Sequence, residues 1–352
     1  MSDYKEVFKL LLENTFVSGK GSEEDIHKNM TEFLGKVIDN MPEKLFRFRK
    51  IDEQGNALNS FENGMISLCR PSCFSDKYDS IVFVDVEKQL EINEDALKRG
   101  MRHVLESIKR RDPMIRANKA ARVCYMLEQG MGEQEIIDTI VSENYADFVE
   151  EVKRELTQRQ SRVRDCVDTA RIACFTEDVQ SKYMWDRYAD GYRGFALEYN
   201  LRDFFIKCYM KSISAYVFPV IYTDEKPDLT REEVNEYCLS MMKEKEWASK
   251  MKWLIPFLDS NLLSPHKYFL YKDKEAYAHE KEWRILYYDL ENKADYIELP
   301  DEGCLKAIYY GIDTSKEDLD RLHKIAINKG IKEYRVAIDN KSRKYRLTIL
   351  PF

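Results

Sequence analysis

The stretch Met184–Tyr199, MWDRYADGYRGFALEY, contains the change from a helical pattern to a strand pattern that decides the fold. Its first half combines aromatic and arginine side chains with two glycines, and the run after the second glycine has the composition of a strand. A second strand begins within Glu280–Ile285, EKEWRI, where alternation places Glu282 and Arg284 on one face. Together the two segments predict a sheet that carries a functional site.

Further strand patterns occur on both sides of these segments, with helical patterns between them. The predicted strands are Leu45–Lys50, Met65–Leu68, Ala170–Thr176, Gly194–Tyr199, Ser212–Thr223, Glu282–Asp289, Leu305–Tyr310, Glu333–Ile338 and Tyr345–Leu350. The best helices are predicted over Thr230–Lys252 and Lys316–Lys329, the second ended by Gly330. Because strands often follow one another without an intervening helix, the order predicts an α+β fold with a mixed or antiparallel sheet and flanking helices.

Three segments are predicted along the chain. Residues 1–42 form an N-terminal helical region, because apolar residues recur at helical spacing from Ile26 to Ile38 and Pro42 ends the pattern. Residues 87–168 are charged, poor in proline and helix-patterned, which indicates a helical insertion. The α+β core then comprises residues 43–86 and 169–352.

The composition is that of a folded globular protein: 352 residues, 44% hydrophobic, with a formal net charge of −7. The N-terminus lacks the basic and then apolar order of a secretion signal, and no apolar run is long enough to span a membrane. We therefore expect a cytoplasmic protein without a membrane partner. The eight cysteines include no paired C-x-x-C units, which predicts reduced thiols.

One segment, 98–122, is distinctly basic. Its basic residues are Lys98, Arg99, Arg102, Lys109, Arg110, Arg111, Arg116, Lys119 and Arg122. They would suit a nucleic-acid or acidic protein partner, or they are the solvated side of helices whose other side carries residues such as Leu105 and Ile108. The amphipathic pattern favours the second interpretation, and the net charge argues against extensive coating of nucleic acid.

Several common catalytic motifs are missing from the sequence. The run Gly19–Ser22 lacks the upstream glycine of a P-loop, and Trp283 stands where the second histidine of a zinc-binding helix would follow His279–Glu280. The chain also has no G-x-S-x-G and no G-x-G-x-x-G. The usual hydrolase and dinucleotide-binding templates are therefore excluded.

The remaining motifs keep a definite order. They are Leu45–Arg49, Phe74–Asp79, Cys174–Thr176, Met184–Ala189 with its M-W-x-x-Y-A pattern, Gly194–Phe195, and Glu280–Arg284 with its E-x-E-W-R pattern. This order resembles an uncharacterised bacterial family known as domain of unknown function 2971, over about residues 45–79 and from 170 to the C-terminus. Ser75, Lys77 and Thr176 depart from the family pattern of Asn, Pro and Ser.

A looser similarity is to ADP-ribosyltransferase-like folds, in which an arginine, an aromatic or hydroxyl-bearing segment and a late glutamate follow in that order. The resemblance implies NAD as a substrate, with no tightly bound cofactor. Arg47 would bind the pyrophosphate or ribose, aromatic rings would stack on nicotinamide, and Glu282 would stabilise the oxocarbenium-like transition state. The expected catalytic residues are Glu282 and Arg47, and the expected binding residues are Arg49, Trp185, Tyr188, Tyr192, Glu280 and Arg284.

Each of these residues also has a structural interpretation. On the strand Leu45–Lys50, Phe46 and Phe48 should face a core and Arg47 and Arg49 should face away, so that Arg47 could pair with Glu282 or Glu198 across strands. Trp185 and Tyr188 share one helix face, a spacing that is more typical of core residues. The pair Glu282 and Arg284 would be a salt bridge of little energetic value if it is exposed, and Asp76 and Asp79 would form turns.

Three functions therefore stay open at this point. The first is an NAD-consuming ADP-ribosyltransferase or NAD glycohydrolase, as in a toxin or phage-defence effector. The second is a nucleotide-sensing or protein-interaction module without catalysis, and the third is a metal-dependent nuclease that uses Asp76, Asp79 and Glu282. No metal-ligand spacing is recognised. The first requires Arg47, Glu282 and Tyr188 or Tyr192 to line one cleft; the acceptor and the oligomeric state stay open.

Overall fold

The computed structural model of the protein describes residues 4–14, 16–18, 23–110, 117–143, 150, 170–211, 213, 215–230, 259–261, 264–288 and 294–352. Within these residues the fold is α+β, as the sequence predicts. The strands are β1 Phe16–Ser18, β2 Leu45–Arg49, β3 Met65–Cys69, β4 Ala170–Thr176, β5 Phe195–Tyr199, β6 Ala215–Pro219, β7 Ile221–Thr223, β8 Asp259–Asn261, β9 Tyr271–Asp273, β10 Glu282–Tyr288, β11 Tyr296–Pro300, β12 Leu305–Tyr310, β13 Lys332–Ile338 and β14 Leu347–Pro351.

The helices vary from single turns to a helix of 24 residues. They are α1 Tyr4–Asn14, α2 Glu23–Asn40, α3 Asn56–Glu62, α4 Val86–Lys109, α5 Ala117–Glu128, α6 133–143, α7 Lys182–Tyr188, α8 Leu201–Met210, α9 Ser264–Lys267, α10 Lys274–Tyr277 and α11 Lys316–Lys329. The predicted N-terminal helical region contains α1 and α2, and α4 to α6 lie in the predicted helical insertion. The predicted helix Thr230–Lys252 falls almost entirely outside the described residues.

In the described part of the chain, ten strands form one mixed sheet with the order β11-β3-β4-β2-β5-β12-β13-β14, while β10 joins β4 to β6. Most pairs are antiparallel, and β12 and β13 are parallel because α11 crosses over between them. The side chain of Ser315 caps α11 and Gly330 ends it in the left-handed conformation, with φ 64°. The structure thereby confirms the mixed, mostly antiparallel sheet.

The sheet is interrupted along one edge of β4. On its other edge β4 pairs with β10 from Ala170 to Thr176. On the interrupted edge it meets β2 only at the pair Phe46–Thr176 and β3 only at the pair Cys69–Ile172. We call the opening between β4 and the strands β2 and β3 the sheet gap.

Two hydrophobic cores lie on the sheet. The main core includes Phe8 of α1, Phe33 of α2, Phe204 of α8 and Trp283 of β10. The second core contains the side chains Phe46, Phe48, Met184, Trp185, Ala189, Ala196, Ala307, Tyr309, Val336 and Leu347. Because Phe46 and Phe48 enter the second core, as predicted, the alternate positions Arg47 and Arg49 are directed towards the sheet gap.

Candidate functional site

The alternation of β10 places two charged side chains on the face of the sheet opposite Trp283. Glu282 lies opposite Thr176 and Arg284 opposite Cys174 on β4, while Trp283 between them packs into the main core. Lys281, just before the strand, is left-handed with φ 47°. The chain therefore turns sharply between Glu280 and Glu282.

A cavity of about 370 Å³ occupies this region, within the range of about 300–1,000 Å³ for small-molecule sites. Its walls come from β2, β3, β4, β10 and α7 and from the turn after β3. Arg47, Arg49, Glu282 and Arg284 all line it. Arg47 and Glu282 therefore share one cavity, although β2 and β10 are not neighbours in the sheet.

Charged side chains form a continuous hydrogen-bonded chain along one cavity wall. Lys272 Nζ donates to Glu280 Oε2 at 2.9 Å and to Glu282 Oε2 at 3.1 Å. Arg284 Nε donates to Glu282 Oε1 at 2.7 Å. The two terminal nitrogens of Arg284 donate to the two carboxylate oxygens of Asp79, with 2.9 Å between Nη1 and Oδ1. We call these residues the charge chain; positive and negative groups alternate in it, so each carboxylate has a cationic donor.

The charge chain is buried. The exposed fraction of the side chain is 6% for Lys272, 4% for Glu280, 5% for Glu282 and 1% for Arg284. Burial by itself raises the pKa of Glu282, but the charges of Arg284 and Lys272 and the hydrogen bond from Arg284 lower it to about 2. Glu282 is therefore an anion at neutral pH. The salt bridge between Glu282 and Arg284 is therefore buried, whereas the sequence also allowed an exposed pair of little energetic value.

Glu280 is bound by a tyrosine at the edge of the cavity. The Tyr188 hydroxyl donates to Glu280 Oε1 at 2.6 Å, and burial and the charge of Glu280 raise the pKa of Tyr188. The Tyr188 ring is partly exposed and contacts Tyr183, whose ring lies 4.1 Å between centroids from that of His279. Tyr188 thus presents a neutral aromatic ring at the edge of the cavity while its hydroxyl is occupied.

Arg47 and Arg49 form the opposite, cationic side. Arg47 Nη2 donates to Ser67 O at 2.6 Å and to Ser67 Oγ at 3.3 Å, and Arg49 Nη1 donates to Ser67 Oγ at 3.3 Å. Burial and the charge of Arg49 lower the pKa of Arg47 to about 10, and burial lowers that of Arg49. Within the described residues neither guanidinium donates to a carboxylate. Two partly buried cations that donate to no carboxylate among the described residues make this side a candidate anion site.

The cross-strand ion pairs considered for Arg47 are not formed. Glu282 accepts from Arg284 and Lys272, and Glu198 accepts from the Tyr309 hydroxyl, at 2.5 Å, and from Lys44. Arg47 is instead directed into the sheet gap, where it reaches the backbone of β3. The sequence-based interpretation of Arg47 as a residue that faces away from the core is incomplete, because the gap offers it a partly buried position.

Two of the predicted ring-stacking residues do not line the cavity. Trp185 is fully buried in the second core, where its Nε1 donates to Val179 O at 2.7 Å and its ring packs edge-on against Phe48. Tyr192 lies nearly parallel to Trp185, and its hydroxyl donates to Lys182 O at 3.2 Å. The core interpretation holds for Trp185. Of the three predicted rings, Tyr188 is the one at the cavity.

The glycine of the Gly194–Phe195 motif fixes the distance between α7 and β2. A Cβ atom on Gly194 would lie 2.2 Å from Arg49 O, so any other residue would force the two backbones apart. Gly194 N also donates to Ala189 O at 2.8 Å, just after α7. This close approach positions the backbone of Arg49 relative to Tyr188.

Lys272 and Cys174 line the cavity but were not expected as site residues, and Asp79, which also lines it, was expected only as a metal ligand of a nuclease. Asp76 forms a turn as predicted, with Oδ1 accepting from Tyr78 N at 2.8 Å, whereas Asp79 is the bidentate partner of Arg284. Its place in the Phe74–Asp79 motif was a usable signal. Lys272 lies on the three-residue strand β9, which has no sequence pattern that would have revealed it.

The structure also bears on the predicted metal site and on the basic segment 98–122. In the described residues no group of three or more histidine, cysteine, aspartate or glutamate side chains could hold a metal ion. Part of the basic segment 98–122 is paired with carboxylates, as in the ion pairs Lys109–Glu133 and Arg122–Glu143. Arg111 and Arg116 lie outside the described residues, so a partner for this segment stays a prediction.

None of the helices in the described ranges combines the length and apolar character needed to cross a membrane.

The chain has no match among curated proteins or among solved structures. Residues 184–285 match the family model described as "Protein of unknown function (DUF2971)", a range that runs from the first residue of the M-W-x-x-Y-A motif to β10 and includes Tyr188, Lys272, Glu280, Glu282 and Arg284.

Proposed function

We propose that the protein binds NAD in this cavity and cleaves the bond between nicotinamide and ribose. One observation supports this most directly: Arg47, Arg49 and the ionised Glu282 line the same cavity, although they come from strands that are not neighbours. An anionic ligand group and a transition state with cationic character can therefore be accommodated side by side. Consumption of cytoplasmic NAD would suit a toxin or a phage-defence effector.

The arginine pair is the proposed site of the NAD pyrophosphate. Arg47 uses one terminal nitrogen on Ser67, and Arg49 makes one long hydrogen bond, at 3.3 Å, to the same residue. Since a guanidinium carries five N–H donors, most of the donors remain for a ligand. The anion would also relieve the repulsion between the two cations, which, after burial, lowers the pKa of Arg47.

The charge chain is the proposed site of bond cleavage. Loss of nicotinamide gives the ribose oxocarbenium character, which a nearby carboxylate stabilises strongly in a buried site. Glu282 is held in position by Arg284 and Lys272. The carboxylates of Asp79, Glu280 and Glu282 outnumber the cations Lys272 and Arg284, so this wall keeps a net negative charge.

A second candidate is a nucleotide-sensing module that binds the ligand without cleaving it. It is favoured by the hydrogen bonds that Glu282 already accepts, with Arg284 Nε at 2.7 Å from Oε1 and Lys272 Nζ at 3.1 Å from Oε2. These two cations offset part of the stabilisation that Glu282 can give to a developing positive charge.

Calorimetric titration with NAD, combined with an assay of nicotinamide release, separates the candidates. We expect the wild type to bind and release nicotinamide, Glu282→Gln to bind without turnover, and Arg47→Ala to lose binding. Binding without release by the wild type would favour the sensing module. A folded wild type that does not bind NAD would refute both.

Matched controls are available outside the cavity. Glu198→Gln changes another buried carboxylate, which accepts from Tyr309 and Lys44, and Arg202→Ala removes an arginine that donates to Met41 O at 3.0 Å. Both controls should retain binding and turnover. If they fail as the cavity variants do, the effects reflect folding instead of the site.

A further inference from the structure

On the basis of the proposed function, we propose that the acceptor of the ADP-ribosyl group is water, so that the protein is an NAD hydrolase and not a transferase that modifies a protein side chain. The bond between ribose C1′ and the nicotinamide nitrogen breaks, and its electron pair leaves with nicotinamide. The water oxygen bonds to C1′ and releases one proton, which gives ADP-ribose, nicotinamide and H⁺ from NAD⁺ and water.

The burial of the two glutamates limits the size of the acceptor. Only 4% of the Glu280 side chain and 5% of the Glu282 side chain are exposed. The acceptor must reach C1′ beside these carboxylates, within a cavity of about 370 Å³ that it shares with the ligand. A side chain carried by another folded protein would bring its backbone against the rim, which includes Tyr188 and Tyr277. Water requires no such access.

The occupancy of Glu280 limits the chemistry of the acceptor. The resemblance to ADP-ribosyltransferase-like folds implies that Glu280, the first glutamate of the E-x-E pattern, would orient a side-chain acceptor. Its Oε1 already accepts from the Tyr188 hydroxyl at 2.6 Å and its Oε2 from Lys272 Nζ at 2.9 Å. An arginine acceptor would share these oxygens with the two donors and would meet the positive charge of Lys272, which repels it at short range. Water is neutral, and it can accept from Lys272 and donate to Glu280.

Tyr188 is therefore the part of the rim that shields Glu280 from larger acceptors. Its ring is 37% exposed while its hydroxyl is bound to the carboxylate. Tyr183 offers a matched control, because it has a similarly exposed ring, 36%, beside Tyr188 but packs against His279. Removal of the Tyr188 side chain should open the site to a small guanidine compound, and removal of the Tyr183 side chain should not.

The test is the distribution of products from NAD labelled in its adenosine half, incubated with the full-length protein, a bacterial protein extract and the guanidine compound agmatine. We expect nicotinamide and free ADP-ribose in equal amounts, without label in protein or in agmatine. For Tyr188→Ala we expect the ratio of agmatine adduct to ADP-ribose to rise about tenfold above the detection limit set by the wild type, the order expected for loss of one hydrogen bond to a charged group. For Tyr183→Ala we expect no change.

The outcomes distinguish the two proposals. Nicotinamide release with label in protein or agmatine would overturn hydrolysis and leave NAD cleavage standing. Absence of nicotinamide release from the wild type would overturn NAD cleavage, and hydrolysis with it. A product ratio for Tyr188→Ala equal to that of Tyr183→Ala would overturn the shielding of Glu280 by Tyr188. Because a ratio of products is measured, a slower overall rate in either variant does not affect the result.

Discussion

The ion pair between Asp79 and Arg284 should contribute strongly to stability. The exposed fractions of the two side chains are 2% and 1%, and both carboxylate oxygens accept from the guanidinium. Removal of one partner from a buried pair costs about 3–5 kcal/mol, because the other charge is left without compensation. Arg284 keeps its hydrogen bonds to Glu282 and to Phe269 O, so we expect Asp79→Ala to lose about 3 kcal/mol, at the lower end of that range.

The free energy of unfolding is measured by urea denaturation, followed by circular dichroism, with comparison of midpoints at unchanged slope. Glu106→Ala is the control, since Glu106 and Arg110 form an exposed pair with 59% and 78% of their side chains accessible, which is expected to contribute less than about 1 kcal/mol. Asp79→Asn retains an acceptor and should fall between the two. Equal losses for Asp79→Ala and Glu106→Ala would refute the assignment of Asp79 as the principal counter-ion of Arg284.

Three further predictions concern pH and packing. The pKa of Glu282 falls from 4.5 to about 2 on folding. The ionised carboxylate therefore contributes fully to stability above pH 4.5, and this contribution is lost as the pH falls towards 2. Glu282→Gln should flatten that part of an acid-unfolding curve, and an unchanged slope would contradict the lowered pKa. Burial lowers the pKa of His266 from 6.5 to about 4. The free energy of unfolding should therefore decrease as the pH falls from 6.5 towards 4. His266→Phe should remove this pH dependence, which is measured as the unfolding midpoint at each pH. Gly194→Ala should lower the midpoint of thermal unfolding, because the new Cβ would lie 2.2 Å from Arg49 O. Gly132→Ala is the control: no atom lies within 4 Å of its Cβ, so the midpoint should stay unchanged or rise. Equal shifts in the two variants would show that the close approach of Gly194 to Arg49 is not needed.

The elements predicted best are those with a local signal at both ends. The helix Lys316–Lys329 has a capping serine before it and a glycine after it, and the strand Leu305–Tyr310 is a short apolar run; both have the predicted bounds. The predicted strand Ser212–Thr223 is two strands in the structure, β6 and β7, separated by Val220. Val220 N donates to Glu282 O, a contact with a distant segment that no local pattern contains.

The candidate site was predictable where alternation along a strand decides the direction of a side chain. This applies to Glu282 and Arg284 on β10. Arg47 and Arg49 reach the same cavity through the sheet gap, because the register places Phe46, and not Arg47, on the face of Glu282. The pairing of these charges was not predictable, because it depends on Lys272, which reaches the cavity from a separate three-residue strand. The sheet gap was equally hidden, since it depends on the register between β4 and its two partial neighbours.

The hydrogen bond from Arg47 Nη2 to Ser67 O has a consequence for how the sheet responds to a ligand. In the sheet gap, where the pairing of β2 and of β3 with β4 stops, this guanidinium connects β2 directly to β3. An anion that bound the remaining N–H groups would leave the hydrogen bond to Ser67 O intact. Ligand binding and the connection between the two strands would therefore stabilise each other. A lysine at the same position would keep the charge but has a single nitrogen for both tasks, and ligand binding would then compete with the joining of two strands.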